Sequence, residues 1–360
     1  MTKAESNKKK PLFFIILLVV SPILLILAAE IMIRIYMNLR FRIPGKSYGI
    51  YMADKELGAI HKPNSFNSKA VINNFGLANR EDTPLQKPAG STRIYCSGGS
   101  TTFCYNLAID DTWPSLLQEK LRKLPGHQKD AVLNAGEICF SVSHEFILAK
   151  RLIPVLKPDI VILYGAGINE GQIDSALRTK KDKRILDQLL AQKKWGVSPV
   201  KLDQARFLKR NSMLIKLIEY YINPWLQNMA QQASRNKLKT ESLGNKTTIH
   251  PWVIENFKIT LREYIRFLKA NGCQVILVNN SDNGSTQNWF INTYARPLRQ
   301  YALEIAKEEG VRICDLGPLV ENNAHRKELY TITGLHATKE GTELVSDALL
   351  ATLKESWENK

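Results

Sequence analysis

Residues Arg93 to Phe103 of this 360-residue chain read Arg-Ile-Tyr-Cys-Ser-Gly-Gly-Ser-Thr-Thr-Phe, the stretch around which the rest of the chain is organised. Its first half is short, apolar and β-prone, and Ala89-Gly90 precede it as a turn. Its second half breaks into two glycines and then a row of hydroxyls, and an amphipathic pattern starts at Thr112. That is strand, tight glycine loop, then helix. In a parallel α/β sheet such a loop lies at the C-terminal edge of the strands, where ligands bind. Ser100 is the side chain such a loop would present. No Lys follows the second Gly, so a Walker-type phosphate loop is excluded. Thr102 stands where the α/β-hydrolase elbow needs Gly, which excludes that motif too. A serine esterase with its nucleophile just past the first strand and a plain structural turn both stay open.

The rest of the chain repeats the alternation. Strands are predicted over Arg93–Ser97, Ala131–Ala135, Asp159–Tyr164, Gln274–Asn279 and Val311–Asp315. Helices are predicted from Thr112, over Ser143–Leu156, around Trp252–Ala270, over Ala295–Glu309 and over Lys339–Glu355. Strands alternating with helices predict a doubly wound parallel sheet with helices on both faces. Residues 34–88, rich in Asn, Gly, Pro and Lys, read as a linker and an irregular lead-in segment, with the main domain over 89–360.

A parallel sheet gathers its strand ends, so the polar-glycine loops at Gly99-Ser100, Gly136 and Gly167-Ile168-Asn169 converge, and His336 just before the closing helix joins them. Ester hydrolysis needs a hydroxyl nucleophile, an imidazole to take its proton and donors for the oxyanion. Ser100 would attack with His336 as general base. The backbone amides of Ser100 and Gly136 and the side-chain amide of Asn169 would form the oxyanion hole. His61, His127, His144, His250 and His325 show no partner pattern. No Cys/His spacing suggests a metal.

This order resembles the SGNH hydrolase family, also called GDSL-like lipases and esterases, over roughly Thr92 to Lys354. Ser97-Gly-Gly-Ser-Thr-Thr-Phe103 is similar to its first block, Asn134-Ala-Gly136 to its second, and Gly167-Ile-Asn169-Glu170 to its third. Gly334-Leu-His336-Ala-Thr-Lys-Glu-Gly341 is similar to its last. The resemblance implies a flavodoxin-like three-layer α/β/α fold, a serine acyl-enzyme, and neither metal nor cofactor. It also implies, for a member with an N-terminal anchor, action on acyl groups of envelope or exported polysaccharide. Two positions depart from the family pattern. Thr333 occupies the place of the Asp that orients the histidine, and a threonine hydroxyl can supply orientation but no charge. Glu170 stands where an Asp is usual.

Pro11 to Ala29 carry no charge, and these nineteen residues, as a helix, span about 28 Å, close to the hydrocarbon thickness of a bilayer. The apolar run resumes after Glu30, and Leu27-Ala28-Ala29 makes a poor signal-peptidase site. A single uncleaved transmembrane helix over 11–33 is therefore expected, with a cytoplasmic tail over 1–10. That places the body in the periplasm, on the outer side of the cytoplasmic membrane.

The formal net charge is +16, and Gly171 to His250 hold sixteen Lys or Arg against six Asp or Glu. Residues 171–250 read as a helical basic insertion, amphipathic from Ala205 to Met229. Its basic face is either a solvated cap or a surface that attracts anionic lipid or acidic polysaccharide. Nucleic acid is not an expected partner, since no binding motif occurs and the body lies outside the cytoplasm. Five cysteines, an odd count, argue against a disulfide framework. The expected activity is membrane-anchored ester hydrolysis of O-acyl groups on a glycan or small ester. O-acyl transfer on the same substrates, and an inactive glycan-binding or scaffolding domain, are the alternatives.

Overall fold

The computed structural model describes residues 18, 20–33, 35–36, 43–171, 173–174, 248–282, 284, 288, 291–331 and 334–358. The chain divides into two compact units, Met1–Lys46 with Asp203–Gly244 and Ser47–Leu202 with Asn245–Lys360. In the first unit residues 20–33 are helical, and Ile23, Leu25 and Met32 expose their side chains. Among the described residues no helix is long and apolar enough to cross a membrane. The span expected over 11–33 begins in residues outside that description. The basic insertion, beyond its first few and last few residues, also lies outside it.

The second unit opens with five short strands: β1 (Ser47–Tyr48), β2 (Tyr51–Asp54), β3 (Gly58–His61), β4 (Ser65–Phe66) and β5 (Val71–Ile72). β2 and β3 pair antiparallel, and β4 joins β1 on one side and β5 on the other. The sequence reading took this lead-in as irregular. Strands of two to four residues are too short to display an alternating pattern. The lead-in is nonetheless packed: Ile50, Ala70, Ile72 and Ala78 close on Phe103, and Leu57 closes on Phe140 and Leu148.

The main sheet contains β6 (Arg93–Gly98), β7 (Ala131–Gly136), β8 (Ile160–Tyr164), β9 (Gln274–Asn279) and β10 (Arg312–Asp315), ordered β10-β9-β8-β6-β7. All four pairings are parallel. Intervening helices are α1 (Ser100–Phe103), α2 (Trp113–Arg122), α3 (Val142–Leu156), α4 (Pro251–Ala270), α5 (Arg296–Glu308), α6 (Gly317–Glu321) and α7 (Lys339–Glu358). Successive strand residues point to opposite faces, and the packing follows that alternation. Tyr95, Leu133, Val161, Leu163, Val275 and Leu277 pack with α3, α4 and α5. Ile94, Cys96, Val132, Ile162, Ile276 and Val278 pack with α2 and α7 on the other face. Each fully buried aliphatic side chain contributes about 1.5–3 kcal/mol, so both layers hold the sheet in place. This is the expected three-layer α/β/α arrangement.

Local signals set the helix starts. The Thr112 Oγ1 accepts the N–H of Ser115 ahead of Pro114 in the first turn of α2. Pro251 opens α4, where the His250 ring accepts the N–H of Trp252. All five cysteines are free, four of them buried.

Candidate active site

The register of the three neighbouring strands sets the site. Gly98 at the end of β6 is level with Gly136 of β7 and with Tyr164 of β8. After Gly99 the chain turns directly into α1, whose first residue is Ser100. The first N–H groups of a helix have no acceptor within it, so the Ser100 amide is a donor left over by the fold. The four-residue helix ends at Cys104, in the left-handed conformation with φ 54°. The Trp113 indole N–H holds it from outside by donating to the Thr101 carbonyl at 3.3 Å.

Ser100 is buried to 9% exposure, and its Oγ lies 2.9 Å from Nε2 of His336. These two residues are 236 positions apart in sequence. His336 sits in the loop before α7, where its carbonyl accepts the Thr331 N–H at 2.7 Å and Ala337 bridges to Tyr330. The Tyr105 ring stands edge-on to the imidazole, with centroids 4.8 Å apart. Burial pushes the His336 pKa down to about 4, so the imidazole is neutral at neutral pH. A neutral ring bonded to a hydroxyl through Nε2 can accept the serine proton there, with its own proton on Nδ1.

Asn169 comes from the loop after β8 and reaches across to the loop after β7, where its Nδ2 donates to the Phe140 carbonyl at 2.7 Å. The same Nδ2 flanks the glycine before the nucleophile: a Cβ on Gly99 would lie 2.2 Å from it. The amide carries a second N–H beside the peptide that leads into Ser100.

Gly136 does not take the role the sequence suggested. Its N–H donates to Oδ1 of Asn134 at 3.0 Å, so the amide is already spent within its own turn. A Cβ at this position would stand 2.2 Å from the Phe103 nitrogen. Gly136 is therefore the place where α1 lies against the end of β7. Three residues later Cys139, half-buried, adopts φ 65°, and its N–H makes no hydrogen bond among the described residues. A cysteine in the left-handed region carries no sequence signal, and sequence reasoning gave it no role. Thr333, the expected orienting position, lies outside the described residues.

A layer of buried acids supports the site from below. The Tyr264 hydroxyl donates to Ser97 Oγ at 3.0 Å, and Ser97 Oγ donates to Glu145 at 3.1 Å. Glu170, next to Asn169, accepts the Val142 N–H at the start of α3 at 2.8 Å. Burial raises the pKa of Glu145, and raises that of Glu170 to about 7. Glu137 is raised by burial as well, and its Oε1 accepts the backbone N–H of His61 at 2.7 Å. The His61 ring, pushed down to about 3 by burial, lies 3.2 Å from that carboxyl. Because both shifts favour the neutral form, this is an uncharged pair and not an ion pair. His61 also packs on Phe103, which ties the lead-in strands to α1.

A cavity of about 160 Å³ opens beside α1, between Tyr51 and Lys69 of the lead-in and Phe103, Tyr105 and Ile138. Of the remaining histidines, His127 pairs with Asp130, His144 sits at the start of α3, His250 caps α4, and His325 faces Glu328.

One edge of a parallel three-layer sheet thus brings together a buried serine and a neutral imidazole. The sequence pattern of the GDSL-like lipase/acylhydrolase family matches residues 96–344, a stretch that includes both side chains, and the chain belongs to that family. Among solved structures it is similar to the lipase/acylhydrolase of Enterococcus faecalis, at 16% identity over 74% of this chain and 96% of that one, TM-score 0.43. It is also similar to the psychrotrophic esterase EstA of a Pseudoalteromonas species, at 12% identity over 75% and 100%, TM-score 0.42. A third is a catalytic mutant of the acetylxylan esterase Axe2 of Geobacillus stearothermophilus, at 13% identity over 74% and 96%, TM-score 0.43. No curated protein matches the chain.

Proposed function

We propose that this chain is a serine ester hydrolase that works through an acyl-enzyme. The reading rests on the 2.9 Å contact between Ser100 Oγ and His336 Nε2. The hydroxyl oxygen attacks the acyl carbonyl while Nε2 takes its proton, and the carbonyl electrons move onto the oxygen. The Ser100 N–H, the second Asn169 N–H and the Cys139 N–H are the donors for that oxyanion. As the intermediate collapses, the C–O bond to the alcohol breaks and Nε2 returns the proton to the departing alkoxide. A water molecule, deprotonated by the same imidazole, then releases the acid and restores Ser100. Transfer to a sugar hydroxyl instead of water uses the same acyl-enzyme. The inactive reading is disfavoured by the Ser100–His336 contact, since a scaffold has no need of it.

The proposed substrate is an O-acyl group on an envelope or exported glycan, and the proposed location is the outer side of the cytoplasmic membrane. The supports are the uncharged Pro11–Ala29 run, the exposed apolar side chains of residues 20–33, and the basic composition of residues 171–250. We place the anchor over residues 11–33.

The test uses the full-length protein purified in mild detergent. It should react with a fluorophosphonate probe and release acetate from an aryl acetate. Ser100→Ala should abolish labelling, and His336→Ala should slow it by at least about 10²-fold, the contribution of a positioned base. Folded protein that never labels would overturn the reading. Labelling that persists in Ser100→Ala would place the nucleophile elsewhere.

A further inference from the structure

The edge of the sheet that carries Ser100 also carries three arginines gathered around one buried carboxylate. Asp282 is 2% exposed and follows β9 by three residues. Arg296 and Arg299 come from the first turn of α5, and Arg326 from the segment between α6 and α7. Arg296 binds the carboxylate as a fork, Nε to Oδ2 at 3.1 Å and Nη2 to Oδ1 at 2.8 Å. The Gly284 N–H adds a bond to Oδ1 at 2.8 Å.

Arg299 and Arg326 are different. Their Nη2 atoms stand 3.6 and 3.8 Å from the carboxylate oxygens, within Coulomb reach but beyond hydrogen-bond distance. Arg299 Nη1 donates to the Asn280 carbonyl, and Arg326 Nε donates to the Asp282 carbonyl at 3.0 Å. Their remaining N–H groups find no acceptor among the described residues, and the side chains are 22% and 27% exposed. Among the described residues Glu321, exposed, is the other acid near the cluster, and it acts on Arg296. Three guanidinium groups against these two carboxylates leave positive charge in excess. Arg296 and the Gly284 N–H already satisfy Asp282, so its burial does not explain the other two arginines.

The cluster is placed for substrate. β9 lies two strands from β6 in the sheet, about 10 Å along its edge at the usual strand spacing. Leu298, between the two α5 arginines, packs on Gly167, two residues from Asn169: a Cβ on Gly167 would lie 2.7 Å from Leu298 Cβ. On the other flank Tyr330 is within electrostatic range of Arg299 and Arg326, and it bridges to Ala337, the neighbour of His336. The loops that deliver Asn169 and His336 therefore bracket the arginines.

We propose that Arg299 and Arg326 form a subsite for an oxyanion, a uronate carboxylate or a phosphate ester, carried on the glycan whose ester group is held at Ser100. A guanidinium offers planar, paired donors that match both groups. The role of the subsite in substrate choice rests on the ester-hydrolase reading. Its existence does not.

The test is equilibrium binding to full-length Ser100→Ala protein in detergent at low salt, by calorimetry. The probes are trigalacturonate, mannose 6-phosphate and neutral xylotriose. At least one acidic probe should bind about tenfold more tightly than xylotriose, and the tighter of the two identifies the group. Arg299→Gln with Arg326→Gln should remove about tenfold of that affinity, the loss of roughly one charged hydrogen bond. If that double variant does not fold, Arg299→Lys with Arg326→Lys keeps the charge but not the fork, and should weaken binding several-fold. Acidic probes that bind no better than xylotriose, or as well after either double substitution, would overturn the subsite. Aryl acetate hydrolysis by the Ser100 protein separates the two readings. Hydrolysis without acidic preference sinks the subsite alone, and acidic binding without hydrolysis sinks the esterase alone.

Discussion

Asn169 occupies the space that a side chain on residue 99 would need, its Nδ2 2.2 Å from where that Cβ would be. The absent side chain lets one amide hold the Phe140 carbonyl and flank the nucleophile's peptide at once. Gly99→Ala should push Asn169 away and remove its donor, lowering kcat on an aryl acetate by about 10²–10³-fold. Asn169→Ala should lower it to a similar extent without the clash, and the double variant should be no worse than either alone. KM should move far less than kcat, because the donor acts on charge that develops during reaction. A Gly99→Ala enzyme with unchanged kcat would remove Asn169 from the oxyanion site.

The sheet was legible because its strands are buried on both faces: Ile160–Tyr164 is apolar throughout, and Gln274–Asn279 is apolar over its four middle residues. Ser100 and His336 were legible through the glycine loop before one and the helix after the other. The part Gly136 plays was not. Whether a glycine N–H at a strand end faces a substrate or the side chain of Asn134 depends on one rotamer, and no spacing encodes it. Cys139 was hidden for a related reason, since a left-handed residue announces itself in sequence only when it is Gly or Asn. The arginine cluster draws on positions 282, 296, 299 and 326, which only the folded sheet edge brings together.

His336 titrates low because it is buried, so the acid limb of kcat/KM should fall near pH 4 and not near the ordinary value of 6.5. Its effect on stability has the same sense. Between pH 6.5 and about 4 the unfolded chain binds a proton that the native one refuses, so this contribution is present above 6.5 and lost as pH falls through 4. Thr333→Asp would place a carboxylate three residues before the imidazole, at the position the family resemblance makes the orienting one. It should move the acid limb to higher pH and raise turnover, as seen in pH–rate profiles of both proteins. A limb that stays near 4 in Thr333→Asp would show that the new carboxylate does not reach the ring.

Membrane placement is testable without the enzyme's substrate. An alkaline phosphatase fused after Lys360 should be active, because that enzyme matures only outside the cytoplasm, and the chain should keep its N-terminal residues. Activity confined to a cytoplasmic reporter would reverse the orientation. A mature chain that begins near Glu30 would replace the anchor with a cleaved leader.

Glu170 gives the last prediction. It is fully buried beside Asn169, it accepts the Val142 N–H at the start of α3, and burial raises its pKa from 4.5 to about 7. Below pH 4.5 the carboxyl is protonated in both folded and unfolded chains. As pH rises from 4.5 to 7 the unfolded chain gives up this proton while the native one keeps it, so native stability falls across that window and levels off above it. The integrated loss is on the order of 3 kcal/mol. Glu170→Gln keeps an oxygen for the Val142 N–H and has no proton to lose. Urea unfolding should therefore show the two proteins nearly equal in stability at pH 4.5, with the variant ahead by a growing margin up to pH 8. Other titrating groups act on both proteins alike, so the difference isolates Glu170. A difference that stays flat between pH 4.5 and 8 would mean that Glu170 ionises at its ordinary pKa, with solvent reaching it beside the site.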